Sequence, residues 1–107
     1  MSVSILREGG TCVVPVSGRI TTDSSPDLRM FLFDQLGSRH CETLTVDLYN
    51  VSYVDTSGLA VLLETLRSAR KLDKTFNLSG LRGRPRYLLE ATRLLHLFRE
   101  VPRDDPQ

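Results

Sequence analysis

The sequence predicts an α/β (α+β-like) fold, in which a mixed β-sheet of about five strands is layered with three helices. Polar and apolar residues alternate at period two in short segments such as 43–48, as they do in half-buried strands. Other segments have apolar residues at helical spacing, as in the series Leu59, Leu62, Leu63 and Leu66. The two kinds of segment alternate along the chain. A length of 107 residues predicts a single domain, 1–107, with one core.

The first predicted elements are two strands joined by a hairpin turn. Residues 2–7 and 12–17 alternate as strands do, and a Gly-Gly pair lies in the turn between them. Pro15 has no backbone N–H to donate, so we expect it at an edge or a bulge of the sheet. The polar segment 18–23 is predicted to be a loop.

The first helix is predicted to begin after Ser24 and to end at Gly37. A serine followed by Pro26 is typical of a helix start, and a glycine is typical of a helix end. The residues of its inward stripe are predicted to be Leu28, Phe31, Leu32 and Leu36. Met30 and Phe33 lie off the centre of this stripe, and we expect them to widen the buried face rather than to form an exposed partner-binding patch.

A central strand over 43–48 and a second helix over about 57–72 are predicted next. Glu64 should lie on the exposed side of this helix, where it can pair with Arg67 three residues later. A further strand is predicted over 75–79, because Phe76 and Leu78 alternate there with polar residues.

The C-terminal part is predicted to contain a third helix and an edge strand. The helix should begin at Pro85, and the residues predicted to face inward are Tyr87, Leu88, Ala91 and Leu95. We expect the edge strand over 97–101 and a flexible tail over 102–107. The loop before the helix carries three arginines that could grip a phosphate or an acidic partner, or could simply be solvated, namely Arg82, Arg84 and Arg86.

The charge balance argues against nucleic-acid binding as the general role of the chain. The sequence has 14 Lys and Arg residues against 13 Asp and Glu residues, which gives a net charge of +1. No segment is long and apolar enough to span a membrane, and the N-terminus lacks the pattern of a secretory signal. We therefore expect a cytoplasmic protein without membrane insertion and without direct contact to nucleic acid.

Residues suited to catalysis or metal binding are sparse. Cys12 and Cys41 have no metal-binding spacing and should be reduced, and Cys12 is expected to be buried. His40 and His96 lie far apart, and neither has a cysteine or a carboxylate at the spacing of a metal site. We expect no enzymatic activity, no cofactor and no metal.

The most distinctive segment is 53–59, YVDTSGL, where the strand pattern gives way to the helix pattern. Asp55, Thr56 and Ser57 all favour helix N-caps. A positive helix end with two hydroxyls is also a place where a phosphate could be added and held. The residues alone support both interpretations equally. Asp55 and Ser57 do not indicate a hydrolase triad, because the sequence offers no evident histidine to act as the general base between them.

This segment resembles the signature of a known protein family. Residues 54–59, VDTSGL, resemble the Asp-Ser-Ser/Thr-Gly-Leu signature of STAS domains, the bacterial anti-sigma factor antagonists. Residues 16–20 are similar to the family's Gly-Glu-Leu-Asp segment, and 45–48 to its central strand. Residues 85–98 resemble its third helix and the start of the strand that follows. The likeness extends over nearly the whole chain, from 3 to 101, and implies a STAS-like fold.

The resemblance implies a phosphorylation-controlled binding switch. In that family the unmodified antagonist sequesters an anti-sigma factor with serine/threonine kinase activity, which can phosphorylate it. A metal-dependent serine/threonine phosphatase reverses the modification. The family's acceptor hydroxyl corresponds to Thr56, with Ser57 as the second choice. The implied partner-binding surface comprises Asp55, Thr56, Ser57, Gly58, Gly18, Thr21, Asp23 and Glu64.

Three positions depart from the family pattern. Thr21 stands where the family has an aspartate that faces the acceptor loop, and Asp23 could take its place. His96 stands where the family often has glycine, and we expect it to tolerate a left-handed C′ position. The threonine at position 56 leaves open an alternative, a non-phosphorylated STAS accessory subunit that docks on the ATPase of a lipid ABC transporter. An enzyme ranks lowest among these alternatives.

Overall fold

The computed structural model describes residues 1–103, and residues 104–107 lie outside the described part of the chain. The described residues form a mixed α/β structure with three α-helices, as predicted. In chain order the elements are β1 (Ser2–Val3), β2 (Leu6–Glu8), β3 (Thr11–Ile20), α1 (Ser25–Leu36), β4 (Thr43–Val54), α2 (Thr56–Lys71), β5 (Thr75–Ser79), α3 (Gly83–Ala91), a 3-10 turn (Leu95–Leu97) and β6 (Arg99–Glu100).

One sheet contains all six strands of residues 1–103. Its order is β1-β3-β4-β5-β6, and β2 pairs with β3 beside β1. β1 and β2 run antiparallel to β3, whereas β3, β4, β5 and β6 run parallel to their neighbours. Each parallel connection passes through one α-helix, so α1, α2 and α3 are the crossovers of three successive βαβ units.

The core lies between the sheet and the helices. Val14 of β3, Val46 of β4 and Leu78 of β5 are fully buried, and Leu62 of α2 is buried against them. A small apolar void is lined by residues of β4, α2 and α3, which shows that both helices cover the same face of the sheet. The opposite face of the central strands carries buried polar side chains, which are Thr45, Asp47, Asn77 and Ser79.

Two strands are longer than the sequence predicts. β3 continues to Ile20 and β4 to Val54. The predicted loop 18–23 is therefore wrong at its start, because Gly18 lies within β3, with a φ of +92° beside a register shift. The strands are extended here because they pair with each other, although the regular alternation of polar and apolar residues in β4 ends at position 48.

The N-terminal edge of the sheet is also more broken than predicted. The single strand expected over 2–7 is divided into β1 and β2, and both pair with β3. Pro15 lies beside a register shift in β3, which confirms the bulge or edge expected for it.

α1 has the predicted bounds but not the predicted cap. The Ser24 hydroxyl accepts from the Thr21 amide at 2.9 Å and donates to the Arg19 carbonyl at 3.0 Å. It makes no capping hydrogen bond to α1. Ser24 therefore stabilises the turn before the helix, and Gly37 follows the last helical residue as predicted.

The burial predicted for Met30 is wrong. Met30 is 65% exposed, because it lies two residues, and so about 200° of helix rotation, from the buried Leu28. Phe33 is partly buried, and the guanidinium of Arg29 lies over its ring at 4.4 Å from the centroid.

The inward face of α3 is shifted by one residue from the prediction. Leu89 is buried, whereas Tyr87 is 62% exposed and Ala91 is exposed too. α3 packs against β4 through Pro85 and Leu89, and this contact decides which face is buried. The helix ends at Ala91, so Leu95 lies in the 3-10 turn.

The chain reversal after α3 also comes earlier than predicted. Arg93 has the left-handed conformation, with a φ of +58°, and His96 lies inside the 3-10 turn. β6 forms the predicted edge strand beside β5. In the predicted tail, 102–107, Arg103 donates to the Asp47 carboxylate at 3.0 Å, and the residues after it lie outside the described part.

Both cysteines are free and fully buried, as expected for Cys12. Burial raises the pKa of the Cys41 thiol to about 12, and the neighbouring Cys12 adds to the effect. The thiol of Cys41 is therefore protonated at neutral pH.

We predict that Gly80→Ala destabilises the protein by about 2 to 4 kcal/mol. Gly80 has a φ of +66°, and a Cβ there would lie 2.4 Å from Asp47 Oδ1 and 2.7 Å from the Tyr49 nitrogen. Gly9→Ala is the matched control, because Gly9 has a φ of +61° but no atom within 4 Å of an added Cβ. Urea unfolding should give a loss of about 1 kcal/mol for this control. Equal losses for both variants would contradict the steric explanation.

Candidate functional site

Asp55 is the N-cap of α2 and organises the connection between β4 and this helix. Its Oδ1 accepts from the Ser57 amide at 2.9 Å and from the Gly58 amide at 3.3 Å. The extended backbone at Asp55 is typical of an N-cap residue. The cap predicted for this segment is therefore formed by the aspartate, and the two hydroxyls that follow it lie within the helix.

The pKa of the Asp55 carboxyl lies below its ordinary value of 3.8. The main cause is the hydrogen bond that the Ser57 hydroxyl donates to Oδ1. Desolvation acts in the opposite direction, and the amides of Gly58, Ser57 and Thr22 lower the pKa further. The carboxylate is therefore ionised at neutral pH, and its charge lies at the positive end of α2.

The two hydroxyls beside Asp55 have different surroundings. Thr56 is exposed at the first position of α2, and its hydroxyl makes no hydrogen bond within the described residues. Ser57 is half-buried, and its hydroxyl is engaged with Asp55. Thr56 therefore has the more accessible hydroxyl of the pair.

Gly58 lies beneath this surface and allows α2 to start in contact with the sheet. A Cβ at this position would lie 2.6 Å from Cγ2 of Ile20 and 2.6 Å from Cγ2 of Val54. Any side chain would push the helix away from β3 and β4. Gly58 is buried, so it acts on the predicted partner surface through the position it gives to Asp55 and Thr56.

The turn after β3 packs beside the start of α2. The Asp55 amide donates to the Ile20 carbonyl at 3.1 Å, so the pairing of β3 and β4 extends to the site. Within the turn, the Thr21 carbonyl accepts from the Ser24 amide at 3.0 Å, and the Thr21 hydroxyl accepts from the Asp23 amide at 3.3 Å. The structure thus brings the turn that contains Thr21 and Asp23 next to Asp55.

Two other residues predicted for the partner surface are engaged in contacts of their own. Gly18 lies at the bulge of β3, where the Ser52 hydroxyl donates to its carbonyl at 3.3 Å. Glu64 pairs with Arg29 of α1 at 2.9 Å, so the predicted pairing with Arg67 is wrong. Both side chains of the observed pair are about half exposed, so it contributes less than about 1 kcal/mol to stability.

Arginine side chains stack on two tyrosines in the second half of β4, and these contacts were not predicted from the sequence. The Arg82 guanidinium lies 3.6 Å from the centroid of the Tyr49 ring, and its Nε donates to the Tyr49 carbonyl at 2.9 Å. Arg19 and Arg84 lie over the Tyr53 ring at 4.3 Å and 5.5 Å. All three arginines are exposed.

The three arginines predicted as one cluster do not share one environment. Arg86 pairs with Glu90 at 3.5 Å and also with Glu100, so its charge is compensated within the protein. Arg103 joins the tyrosine contacts from the C-terminal side, 4.2 Å from the centroid of the Tyr49 ring. Its charge is compensated by the buried Asp47.

The described residues offer no metal centre. Within residues 1–103 no cluster of three or more His, Cys, Asp or Glu side chains could hold a metal ion. In the same residues no helix is long and apolar enough to cross a membrane. The arrangement around Asp55 can present an accessible hydroxyl at a positive helix end beside a fixed negative charge.

The chain matches one protein family over almost its whole length. The profile of the STAS domain family matches residues 2–104. An anti-sigma F factor antagonist from Paenibacillus polymyxa is 29% identical over 63 residues, which are 59% of this chain and 54% of that relative. The match thus spans about half the length of this curated relative.

Solved structures of anti-sigma factor antagonists have a similar fold. The crystal structure of an anti-sigma factor antagonist from Mycobacterium paratuberculosis has a TM-score of 0.86 at 24% identity, covering 95% of this chain and 86% of that one. The Bacillus cell fate determinant SpoIIAA in its phosphorylated form has a TM-score of 0.75 at 13% identity, covering 97% and 93%. The predicted STAS-like fold is therefore confirmed.

We predict that Asp55→Ala lowers stability at neutral pH and that this loss shrinks in acid. The folded-state pKa of Asp55 lies below its unfolded value of about 3.8. Its stabilising contribution is therefore complete above that value and is lost as the pH falls through the folded-state pKa. The difference in urea midpoint between Asp55→Ala and the unmodified protein should therefore be smaller at about pH 2.5 than at about pH 7.

Asp23→Ala is the control for this experiment, because Asp23 is an exposed acid in the neighbouring turn and caps no helix. Its urea midpoints should stay close to those of the unmodified protein at both pH values. A difference for Asp55→Ala that is the same at both pH values would contradict the electrostatic explanation.

Proposed function

This chain belongs to the STAS domain family, and we propose that it is an anti-sigma factor antagonist whose partner binding is switched at Thr56. In its unmodified form it sequesters an anti-sigma factor that is also a serine/threonine kinase. Phosphate transfer to Thr56 ends this complex, and a metal-dependent serine/threonine phosphatase restores it. The proposal implies a cytoplasmic location.

The accessible hydroxyl of Thr56 is the observation that carries this proposal. Thr56 lies at the first position of α2, and the Asp55 cap holds the backbone on either side of it. A kinase needs a hydroxyl that it can reach without unfolding its substrate, which Thr56 offers. Modification of Ser57 would first require its hydroxyl to leave Asp55, so the geometry favours Thr56 and keeps Ser57 as the second choice.

A phosphate on Thr56 would change the charge of this surface with little demand on the fold. It would add about −1.5 to −2 charges together with three acceptor oxygens. The amides at the start of α2 attract this charge, while the ionised Asp55 opposes it. No buried side chain has to move to accommodate the group, because Thr56 is exposed. A partner that docks on the unmodified surface would therefore meet a surface of altered charge.

The relatives support the class of partner. The Paenibacillus polymyxa protein is named an anti-sigma F factor antagonist. The neighbour SpoIIAA has been solved in a phosphorylated form. An antagonist of this kind must bind an anti-sigma factor, which supports such a protein as the partner of this chain.

Phosphate transfer provides the direct test. Serine kinase anti-sigma factors from the source genome are purified, and each is incubated with this chain and radiolabelled ATP. We expect one of them to transfer phosphate to the unmodified chain and to Ser57→Ala, but not to Thr56→Ala. Mass spectrometry of the labelled chain locates the phosphate independently.

Two results would contradict the proposal. Loss of transfer in Ser57→Ala alone would move the acceptor from Thr56 to Ser57. Purification of the chain in complex with a transporter ATPase, without phosphate on either hydroxyl, would instead identify it as an accessory subunit of a lipid ABC transporter.

We predict that Thr56→Asp weakens the complex with the anti-sigma factor by at least about tenfold, or about 1.4 kcal/mol. The urea midpoint should change little, because the substituted side chain is exposed. Thr75→Asp is the matched control, an exposed threonine at the start of β5 and therefore at the opposite end of the parallel sheet. Isothermal titration calorimetry should give unchanged affinity for this control. If Thr56→Asp lowered stability as much as a substitution that creates a cavity in the core, the site would be structural rather than regulatory.

A further inference from the structure

We propose that Arg19, Arg82 and Arg84 form a docking surface for an acidic segment of a protein partner. These three residues are called the arginine surface. They come from β3, the loop after β5 and the start of α3, and they contact two tyrosines in the second half of β4. Arg82 contacts Tyr49, and Arg19 and Arg84 contact Tyr53. The proposal does not depend on phosphate at Thr56.

Irregular pairing between β3 and β4 builds this surface. β4 has one residue more than β3 at each of two register shifts, which follow Pro15 and Gly18 in β3. Extra residues of this kind turn side chains away from the regular alternation of a strand. Tyr49 and Tyr53 lie close to these shifts, and their rings are partly exposed.

The tyrosines hold the arginines in place. β5 ends at Ser79, which pairs with Asp47, so the Tyr49 carbonyl lies beyond the last pair of this ladder. Arg82 donates to that carbonyl at 2.9 Å while it stacks on the ring of the same tyrosine. Arg19 and Arg84 share the Tyr53 ring. A stacked guanidinium loses less side-chain freedom when it binds a ligand than a mobile one does.

The charges of the arginine surface are not compensated within the described residues. Arg86 and Arg103 pair with carboxylates, whereas none of the three residues of the surface forms an ion pair within residues 1–103. All three side chains are exposed. Their free N–H groups are therefore available to an external acceptor, and a guanidinium matches a carboxylate through two parallel hydrogen bonds.

The contacts favour an acidic protein segment over a nucleic acid. A single strand binds through bases that stack on open aromatic faces. Here two guanidiniums lie over the Tyr49 ring and two over the Tyr53 ring. The exposed Tyr87 ring also has a guanidinium over it, because Arg84 lies 5.9 Å from its centroid. The net charge of the chain is only +1, which gives no extended field for a duplex. A loop or strand with two or more Asp or Glu residues supplies carboxylates without needing an aromatic platform.

The test uses the full chain and a fluorescein-labelled oligoglutamate peptide as the probe. Fluorescence anisotropy is measured for the unmodified protein and for the triple variant Arg19→Gln, Arg82→Gln, Arg84→Gln. The matched control removes the same number of charges from exposed positions elsewhere, through the triple variant Arg39→Gln, Arg67→Gln, Arg70→Gln. We expect the dissociation constant to rise at least about tenfold in the first variant and less than about twofold in the control.

A second measurement keeps the proposal testable if the triple variant folds poorly. In the unmodified protein, ¹H–¹⁵N spectra of the arginine Nε–H groups are recorded during titration with oligoglutamate. The resonances of Arg19, Arg82 and Arg84 should shift, and those of Arg67 and Arg70 should stay in place. An oligoglutamine peptide should cause no shift at any of these positions.

Three outcomes would overturn the proposal. Equal weakening in both triple variants would show that only overall charge matters. Nε–H shifts at other arginines, with none at Arg19, Arg82 or Arg84, would locate the peptide-binding site elsewhere. Tighter binding of an oligothymidylate than of oligoglutamate at the same ionic strength, lost in the first triple variant, would identify a nucleic-acid surface instead. Phosphate transfer to Thr56 is measured separately, so failure of this proposal and failure of the proposed switch are distinguishable.

Discussion

The parallel pairing of β3 with β4 is the interaction on which the rest of the structure depends. It continues to Ile20 and Val54, and the Asp55 amide extends it by donating to the Ile20 carbonyl. α2 begins where this pairing stops, and Gly58 lets the helix start in contact with both strands. The register shifts within the same pair lie beside Tyr53 and its arginines. The candidate switch and the arginine surface are thus both consequences of one strand pair.

Elements whose burial follows their own periodicity could be predicted from the sequence. α2 extends over Thr56–Lys71, within one residue of the prediction at each end, because its leucines form a continuous stripe. The inward face predicted for α3 is wrong. Tyr87 and Ala91 also lie at helical spacing, so the sequence offers two possible inward stripes for this helix. Which stripe is buried depends on how Pro85 packs against β4, and a helix of nine residues carries too little periodicity to decide this alone.

The site could be predicted where its chemistry is local. Asp55 accepts from amides within three residues of itself, so the cap at the start of α2 is visible in the sequence. Glu64 finds its partner in another helix, at Arg29, and a neighbour such as Arg67 is a poor guide to such a contact. The arginine surface combines three chain segments with two bulges, and spacing in one sequence carries no information about such bulges.

The buried cysteines make this protein a convenient scaffold for chemical labelling. A thiol reacts as its thiolate, and Cys41 stays protonated at neutral pH, because its pKa is about 12. Cys12 has no exposed surface either. A cysteine introduced at an exposed position therefore reacts selectively with a maleimide dye while the chain is folded. Conversely, modification of Cys12 or Cys41 reports that the contact between β3 and the start of β4 has opened, which turns both side chains into internal probes of local unfolding.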